Sequence, residues 1–536
     1  MNEQKASASQ LYEFGATASG NSSKNRMAGP GGADGNHQIT NQAAYLKSIA
    51  FARMMENNDP AVFSAVNRLV NNCNVGQMTP EPDTGSSDLN AKLQEDWSDY
   101  ASNPELCDHG RKWDYETQAD VTFRRVMIDG DLAAIPQEDA TVIHLEGHRI
   151  QGPTYGRKDR GVCGVEYSGN RPSKYWLTKA NPSYGHVVKV SDVNPLDAFN
   201  GDGWPNVFHV FAPKMFTLNR GFSALGACGS IGARRDDLEF ATVLKAQTAN
   251  CVTFIESIDD GELVKLLLSG GALAKEDPNE DLGDTYYEAD SAGYSMGTAD
   301  IHPGRVLRPK FGRKLTMDTP NIPGDGQLEL NLLLLQYLAM CWDLPLSVLM
   351  LDARHANFTT FRGIMDQSRE AFKKHQQWFA AAYHRPRYRN WLRLKAQTDS
   401  DVKQFLRSEK SVSDFRRSKL FRHKWQAAAW KYYHPVDDAK GDLLQLANGM
   451  QTFDQYARKR YGMPGAQLRD QMIAFNLDTY RGILKAKQTL IQEFRDIPNL
   501  VINEHFLFPW PSMTGTNLSM SGEPVSAGVE DQGGQG

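Results

Sequence analysis

Cysteine is scarce in this chain and is never closely spaced. The sequence has no Cys-x-x-Cys pair, and its six cysteines are Cys73, Cys107, Cys163, Cys228, Cys251 and Cys341. Scattered cysteines of this kind indicate neither a disulfide framework nor a zinc site. We therefore expect reduced thiols in a protein made in a cytoplasm.

Long apolar runs are also missing. The longest, over residues 328–342, is interrupted by Glu329, Asn331 and Gln336 and is too short to span a bilayer. The polar N-terminus lacks the basic-then-apolar pattern of a secretory leader. These features predict a soluble protein with no membrane partner.

An excess of positive charge is absent as well. The 536 residues contain 59 Lys and Arg against 64 Asp and Glu, a formal net charge of −5. Proteins that coat nucleic acid are usually strongly basic, so that class is disfavoured. A protein through which DNA slides is not excluded, because tight phosphate binding would hinder sliding. The length predicts about three or four structural units.

A phosphate-binding motif is missing too. The glycine-rich stretch at 29–35 lacks the Gly-Lys-Ser/Thr ending of a phosphate-binding loop. We predict no catalytic residue, no cofactor and no metal. Two carboxylate pairs, Asp236-Asp237 and Asp259-Asp260, are interpreted as surface or turn residues, with a divalent-ion site as the alternative.

One histidine pair keeps an enzyme alternative open. His144-Leu-Glu-Gly-His148 has the order HxExH, not the HExxH of zinc proteases, and it alternates like a strand. On a strand, His144, Glu146 and His148 share one face, where a metal could bind. A metal-dependent hydrolase using His144 and His148 is therefore the alternative function.

What the sequence does contain is mostly helical periodicity around a β-rich stretch, so we predict an α+β, mainly helical fold. Gly- and Ser-rich composition predicts a disordered arm over 1–38 and a flexible tail over 496–536. Asp59-Pro60 predicts a helix start inside a helical stretch that spans 43–72. The remaining predicted elements are helices at 88–100, 115–128, 223–258 and 325–342, a helix bounded by Pro386, strands at 141–145, 187–190 and 207–211, and a hairpin over 165–177.

The predicted helix at 325–342 is apolar all the way round. Such a helix must be covered on every side, within one core or between neighbouring subunits.

A basic stretch follows. Residues 381–425 hold 13 Lys or Arg against 4 Asp or Glu, interleaved with aromatics. This composition suits a nucleic-acid-binding module or, as the alternative, solvated helix faces with inter-subunit ion pairs. The candidate residues of a basic face are Arg385, Arg387, Arg389 and Arg393.

Several short signatures occur in one order along the chain. They are Asn71–Gly76, Asp129-Gly130-Asp131, His148-Arg149-Ile150, Gly164-Val165-Glu166, Tyr175-Trp176, Phe208–Phe211, Asn219-Arg220-Gly221, Leu344-Pro345 and His434–Lys440. In this order, from about Ala43 to Lys485, the chain resembles the lambda-type family of phage portal proteins. Asn219 stands where the family usually has Gln.

The resemblance implies a portal fold of wing, stem, clip and crown regions around a central channel. The implied regions are a wing at 39–221, a first stem helix at 222–258, a clip at 259–323, a second stem helix at 324–343, a tunnel loop at 344–357 and wing and crown helices at 358–495.

The resemblance also implies a function. A homo-oligomeric ring, usually a dodecamer, would occupy one capsid vertex of the virion and pass double-stranded DNA without sequence preference. Its implied partners are the large terminase subunit, the major capsid protein and head-tail connector proteins. Arg354 and His355 of the tunnel loop are the expected DNA-facing residues. Another kind of virion connector ring is the alternative nearest to this one.

Overall fold

The computed structural model describes most of the chain between residues 42 and 493. The described ranges are 42–153, 161–169, 171–180, 188–226, 229–249, 253–258, 285–289, 295–299, 313–318, 325–351, 358–409, 414–430 and 434–493. The predicted arm at 1–38 and tail at 496–536 lie outside them.

The chain begins with two helices, α1 (Gln42–Asn58) and α2 (Pro60–Cys73), joined at the predicted capping pair. The Asp59 carboxylate accepts hydrogen bonds from the backbone N–H groups of Ala61 and Val62, and Pro60 occupies the first turn. The predicted apolar face of α2 is buried. Asn74, with φ +46°, ends the helix, so the predicted start and face are both confirmed.

Strand β1 (Thr79–Pro82) leads to helices α3 (Ser87–Ser102), α4 (Pro104–Cys107) and α5 (Tyr115–Asp129). Asn103 caps α4 and Asp114 caps α5 through side-chain oxygens. Both capping side chains satisfy backbone N–H groups that the helix itself cannot. The helices predicted at 88–100 and 115–128 are confirmed.

Two antiparallel sheets follow. The first contains β2 (Asp131–Pro136), β3 (Val142–Glu146) and, beyond the second sheet in sequence, β8 (Phe208–Phe211), in the order β3-β2-β8. The second contains β4 (Gly161–Val162), β5 (Val165–Ser168), β6 (Arg171–Thr178) and β7 (Val193–Asp197) in sequential order. The predicted hairpin is β5–β6. The strand predicted at 187–190 is wrong: Val190 begins a 3₁₀ turn and the strand starts at Val193.

The helix predicted over 223–258 is shorter than expected. Helix α6 spans Gly229–Ala249, and β9 (Thr253–Ile258) is a strand. Past the hairpin of β10 (Thr285–Ala289) and β11 (Ser295–Ala299), β12 (Arg313–Asp318) pairs antiparallel with β9 along its full length. Three β-branched residues in Thr-Phe-Ile-Glu-Ser-Ile favour this ladder over continued helix.

Helix α7 (Asp325–Met340) confirms the helix predicted from Asp325, and a short α8 (Leu346–Met350) follows. Pro386 does not end the next helix as predicted. Instead, α9 (Phe358–Phe379) passes through a π-helical turn at Ala380–His384 into α10 (Arg385–Thr398). A π turn leaves room for the proline ring and its missing N–H, so the chain stays helical.

The C-terminal part contains α11 (Ser400–Ser408), β13 (His423–Gln426), α12 (Pro435–Ala447), α13 (Phe453–Tyr461) and α14 (Gly465–Glu493). Strand β13 pairs antiparallel with β1, which joins segments more than 300 residues apart.

The main core lies where the N-terminal helices meet α9 and α10. The Trp97 ring is at its centre, with the rings of Tyr115 and Tyr388 each 5.0 Å away and Trp391 at 5.3 Å. Aromatic burial of this kind is a large stabilising contribution, so α3, α5 and α10 form one packed body.

Candidate functional site

Signature residues beside the two antiparallel sheets form one buried ion network. Arg220 and Asp131 are both fully buried, and Arg220 Nη2 donates to Asp131 Oδ1 at 3.0 Å. His209 Nε2 lies 3.0 Å from Asp131 Oδ2. Arg220 also donates to the carbonyl oxygens of Ile150 (2.8 Å), Cys163 and Gly147. These contacts therefore hold five chain segments together, at residues 131, 147–150, 163, 209 and 220.

The charges in this network fix its protonation. Burial alone would raise the pKa of Asp131, but Arg220 and His209 hold it well below its ordinary value. Gly130 is needed beside it because its φ is +102° and a Cβ there would lie 2.7 Å from the Gly221 carbonyl oxygen. These signatures are structural: they hold the two sheets, the 3₁₀ turn at Gly147–Arg149 and α1 in one arrangement.

The histidine pair of the hydrolase alternative is separated by the structure. His144 is on β3 with Nε2 2.9 Å from the Tyr383 hydroxyl, whereas His148 falls in the 3₁₀ turn after β3. Arg53 donates to Glu146 at 2.5 Å and to His148 Nδ1 at 3.1 Å. The predicted common strand face is wrong, because the strand ends at Glu146.

Both histidines are held neutral. Burial lowers the pKa of His144 to about 3. Burial and the Arg53 charge lower the pKa of His148 to about 4. Within the described residues, no three His, Cys, Asp or Glu side chains are grouped to hold a metal. Asp236 and Asp237 are exposed on α6, and Asp259 and Asp260 lie outside the described residues.

The predicted basic face is partly an interior feature. Arg387 is 1% exposed, donates to the Cys107 carbonyl oxygen at 2.7 Å, and has its Cζ 4.7 Å from the Tyr115 ring centroid. Its assignment to a DNA-facing or subunit-facing surface is therefore wrong. Arg385 is exposed, and Arg389 and Arg393 are half-buried beside Trp204, with each Cζ less than 6 Å from that ring centroid.

The predicted tunnel-loop residues, Arg354 and His355, lie outside the described residues. Helix α8 is followed by Leu351 in a left-handed conformation, φ +52°, and α9 begins at Phe358.

Helices α6 and α7 lie side by side and continue into the antiparallel β9–β12 ribbon. Gln327 Nε2 donates to Thr242 Oγ1 at 2.6 Å, which fixes their register. Leu338 and Ala339, near the end of α7, are buried in the main core. The rest of α7 is open, with six large apolar side chains from 41% exposed (Leu333) to 63% exposed (Met340). On α6, Phe240 is 71% exposed.

Helix α14 shows the same open character, which the sequence reasoning missed. Its buried residues are Gly465, Leu468 and Ile483, whereas Met472, Ile473, Phe475 and Leu477 are all at least half exposed. The sequence does indicate this exposed surface, because apolar residues at 472, 473, 475 and 477 cannot share one helical face.

Apolar surface of this extent on a folded chain marks protein–protein contact. The fold and these helices therefore define a subunit whose surface is suited to a larger assembly. Over residues 22–376 the sequence matches the family model described as "Phage portal protein, lambda family". This match covers more than half of the chain, so the chain belongs to the lambda family of phage portal proteins, which are structural proteins of the virion.

Solved structures similar to this chain come from a gene transfer agent particle. The neck of the empty particle, computed with C6 symmetry, is 10% identical and aligns over 76% of this chain and 92% of that chain, with a TM-score of 0.39. The neck of the native particle, computed with C12 symmetry, is 12% identical over 76% and 91%, with a TM-score of 0.35. No curated protein matches the chain significantly.

No helix in the described part of the chain is long and apolar enough to cross a membrane.

Proposed function

We propose that this chain forms a closed ring at one capsid vertex, through which double-stranded DNA is packaged and ejected. The observation that carries the proposal is the open apolar surface of α7 in a chain of the portal family. Leaving several leucines in water is unfavourable by about 25 cal/mol per Å² of apolar surface, and a neighbouring copy would remove that cost. A ring closes when each subunit presents two different complementary faces.

In the proposed ring, each part of the chain corresponds to one region of a portal subunit. Helices α6 and α7 are the stem pair beside the channel, and the β9–β12 ribbon with the β10–β11 hairpin forms the clip. The mixed α/β body is the wing, and α12 to α14 form the crown. Helix α14 can meet its counterparts through its open apolar residues. The ring is a dodecamer in this proposal, as is usual in the family.

The partners follow from the same role. The clip docks the large terminase subunit during packaging and head-tail connector proteins afterwards, and the wing contacts the major capsid protein. The chain has no catalytic role of its own, because the terminase motor supplies the work of packaging. Assembly takes place in the host cytoplasm. DNA contact is independent of sequence, since every base pair must pass.

The tunnel loop between α8 and α9 supplies the DNA-facing residues Arg354 and His355. Its two ends support this placement: α8 is adjacent to α7, and Leu351 at its end is 66% exposed.

A charge reversal in the tunnel loop tests the channel. Arg354→Glu should leave ring assembly intact and reduce the DNA content of particles, because it places negative charge beside DNA phosphates. Electron microscopy of the purified variant and DNA quantification in particles measure the two effects. Arg407→Glu, at an exposed arginine of α11, is the matched control and should package normally. Full packaging by Arg354→Glu would contradict the assignment of the loop.

A further inference from the structure

A concave, positively charged cavity of about 620 Å³ lies at the junction of α10, β13 and the loop after β7. Its cationic lining residues are Arg385, Arg389, Arg416, Arg422 and Lys424. The lining also contains one carboxylate, that of Asp83, so positive charge is in excess in the cavity. A concave site lined by one sign of charge focuses its field on an ion of opposite sign.

Arg416 pairs with Asp414, with Nε 3.1 Å from Oδ1. In the part of the chain that the structure describes, the other four cations, Arg385, Arg389, Arg422 and Lys424, have no carboxylate oxygen within salt-bridge distance. Arg389 donates one hydrogen bond, to the Arg416 carbonyl oxygen at 3.0 Å. Burial and the Arg416 charge lower the pKa of Arg389, the direction expected where like charges converge.

Aromatic and glycine residues beside the cavity position the arginine side chains. Trp204 is almost fully buried at the floor, against the Phe421 ring at 5.5 Å, and the Arg389 Cζ lies 5.8 Å from the Trp204 ring centroid. Gly203 has φ +78°, and a Cβ there would lie 2.6 Å from Arg416 Nη1. The backbone at Gly203 is therefore shaped to let the Arg416 guanidinium approach.

We infer that this cavity binds phosphoryl groups, presented by a nucleic-acid strand or by a free polyphosphate. Several guanidinium groups in one concave site match the bidentate geometry and multiple charge of phosphates. The volume exceeds that of a single phosphate and takes two or more neighbouring phosphoryl groups. The inference stands on the folded chain and does not depend on ring formation.

The test compares two phosphate probes on the full chain. Binding of a fluorescent 20-residue oligothymidylate is followed by anisotropy, and binding of inorganic tripolyphosphate by calorimetry. Arg385→Ala combined with Arg389→Ala should weaken binding about tenfold or more, because each charge-assisted hydrogen bond contributes substantially. The salt dependence of oligonucleotide binding should become shallower, by about 1.4 in log K against log salt for two lost contacts.

Three variants control for charge and folding. Lys403→Ala with Arg407→Ala removes the same charge from exposed positions of α11 in the same basic stretch and should bind within about twofold of the unaltered chain. Arg385→Ala alone changes an exposed side chain, so the protein stays folded and binding still weakens. Gly203→Ala keeps every charge but displaces Arg416, and should also weaken binding.

The two binding measurements distinguish a nucleic-acid strand from a free polyphosphate as the source of the phosphoryl groups. Binding of both probes, lost together in the cavity variant, identifies a site for any polyphosphate; binding of the oligonucleotide alone identifies a strand site. Equal losses in the cavity and control pairs would overturn the inference, as would binding of neither probe. Preference for poly-glutamate over both probes would also overturn it and indicate an acidic peptide.

Discussion

The body of this chain and its open helices satisfy their side chains in opposite ways. In the body, residues 42–226 and 358–430, even charged groups are buried and paired: Arg220 makes contacts with Asp131 and with three carbonyl oxygens. On α6, α7 and α14, leucines, methionines and aromatics remain exposed. The body therefore pairs its own buried groups within one chain, whereas the helices would be covered by other copies in the ring proposed above.

The difference predicts where a substitution acts. Changes in the body should alter the free energy of unfolding of one chain. Changes on the open helices should leave that quantity nearly unchanged and alter assembly.

Removing the buried guanidinium should be the most damaging change. Arg220→Ala leaves Asp131 buried without its cation, and breaking a buried ion pair costs about 3–5 kcal/mol. Urea unfolding of the purified chain measures the loss. Arg469→Ala, at an exposed arginine of α14, serves as the control and should change stability by less than about 1 kcal/mol. Comparable losses in the two variants would show that the network contributes little.

The buried histidine of the π turn should make the body sensitive to acid. His384 Nε2 donates to the Val75 carbonyl oxygen at 3.0 Å, and Nδ1 lies 2.5 Å from the Tyr115 hydroxyl. Burial lowers the pKa of His384 to about 3. The unfolded chain takes up a proton near pH 6.5 and the folded chain does not, so stability is lost as pH falls below 6.5.

This histidine should account for about 2 kcal/mol of the stability lost between pH 7 and pH 5. His384→Gln can keep both hydrogen bonds and cannot titrate, so its free energy of unfolding should fall by that much less over the same interval. Other groups also titrate, including Asp120, whose pKa burial raises to about 6 and which acts in the opposite direction. The comparison of the two chains cancels them. Parallel pH profiles would contradict this role of His384.

The smallest effect on stability is expected on α7. Leu330→Ser with Leu333→Ser replaces two side chains that are 45% and 41% exposed. The helix-propensity cost is about 0.3 kcal/mol per residue, so the free energy of unfolding of the dissociated chain should change by less than about 1 kcal/mol. A loss of several kcal/mol would mean that these leucines pack within their own chain.

Local chemistry made much of the body predictable from the sequence. Asp59 before Pro60 defined the start of α2, and alternation on either side of Gly169 defined the β5–β6 hairpin. The all-round apolar pattern of α7 predicted that the helix is covered within one core or between neighbouring subunits, and the structure leaves six of its large apolar side chains exposed.

What the sequence could not predict depends on distant contacts. Arg387 in a basic stretch is indistinguishable from a surface arginine until the Cys107 carbonyl and the Tyr115 ring are placed beside it. The strand at Thr253–Ile258 requires its partner at Arg313–Asp318. Pro386 ends a helix by local rules, and the preceding π turn overrides them. The strand face predicted for His144, Glu146 and His148 is not shared, because His148 lies in a 3₁₀ turn where Arg53, 95 residues away in sequence, contacts it.

The mass and shape of the assembled protein test the central claim most directly. Light scattering and negative-stain electron microscopy of the purified chain should show closed rings of about a dozen copies with a central hole wide enough for duplex DNA. The Leu330→Ser, Leu333→Ser variant should remain folded and fail to form them. A stable monomer or dimer of the unaltered chain at high concentration would contradict the account.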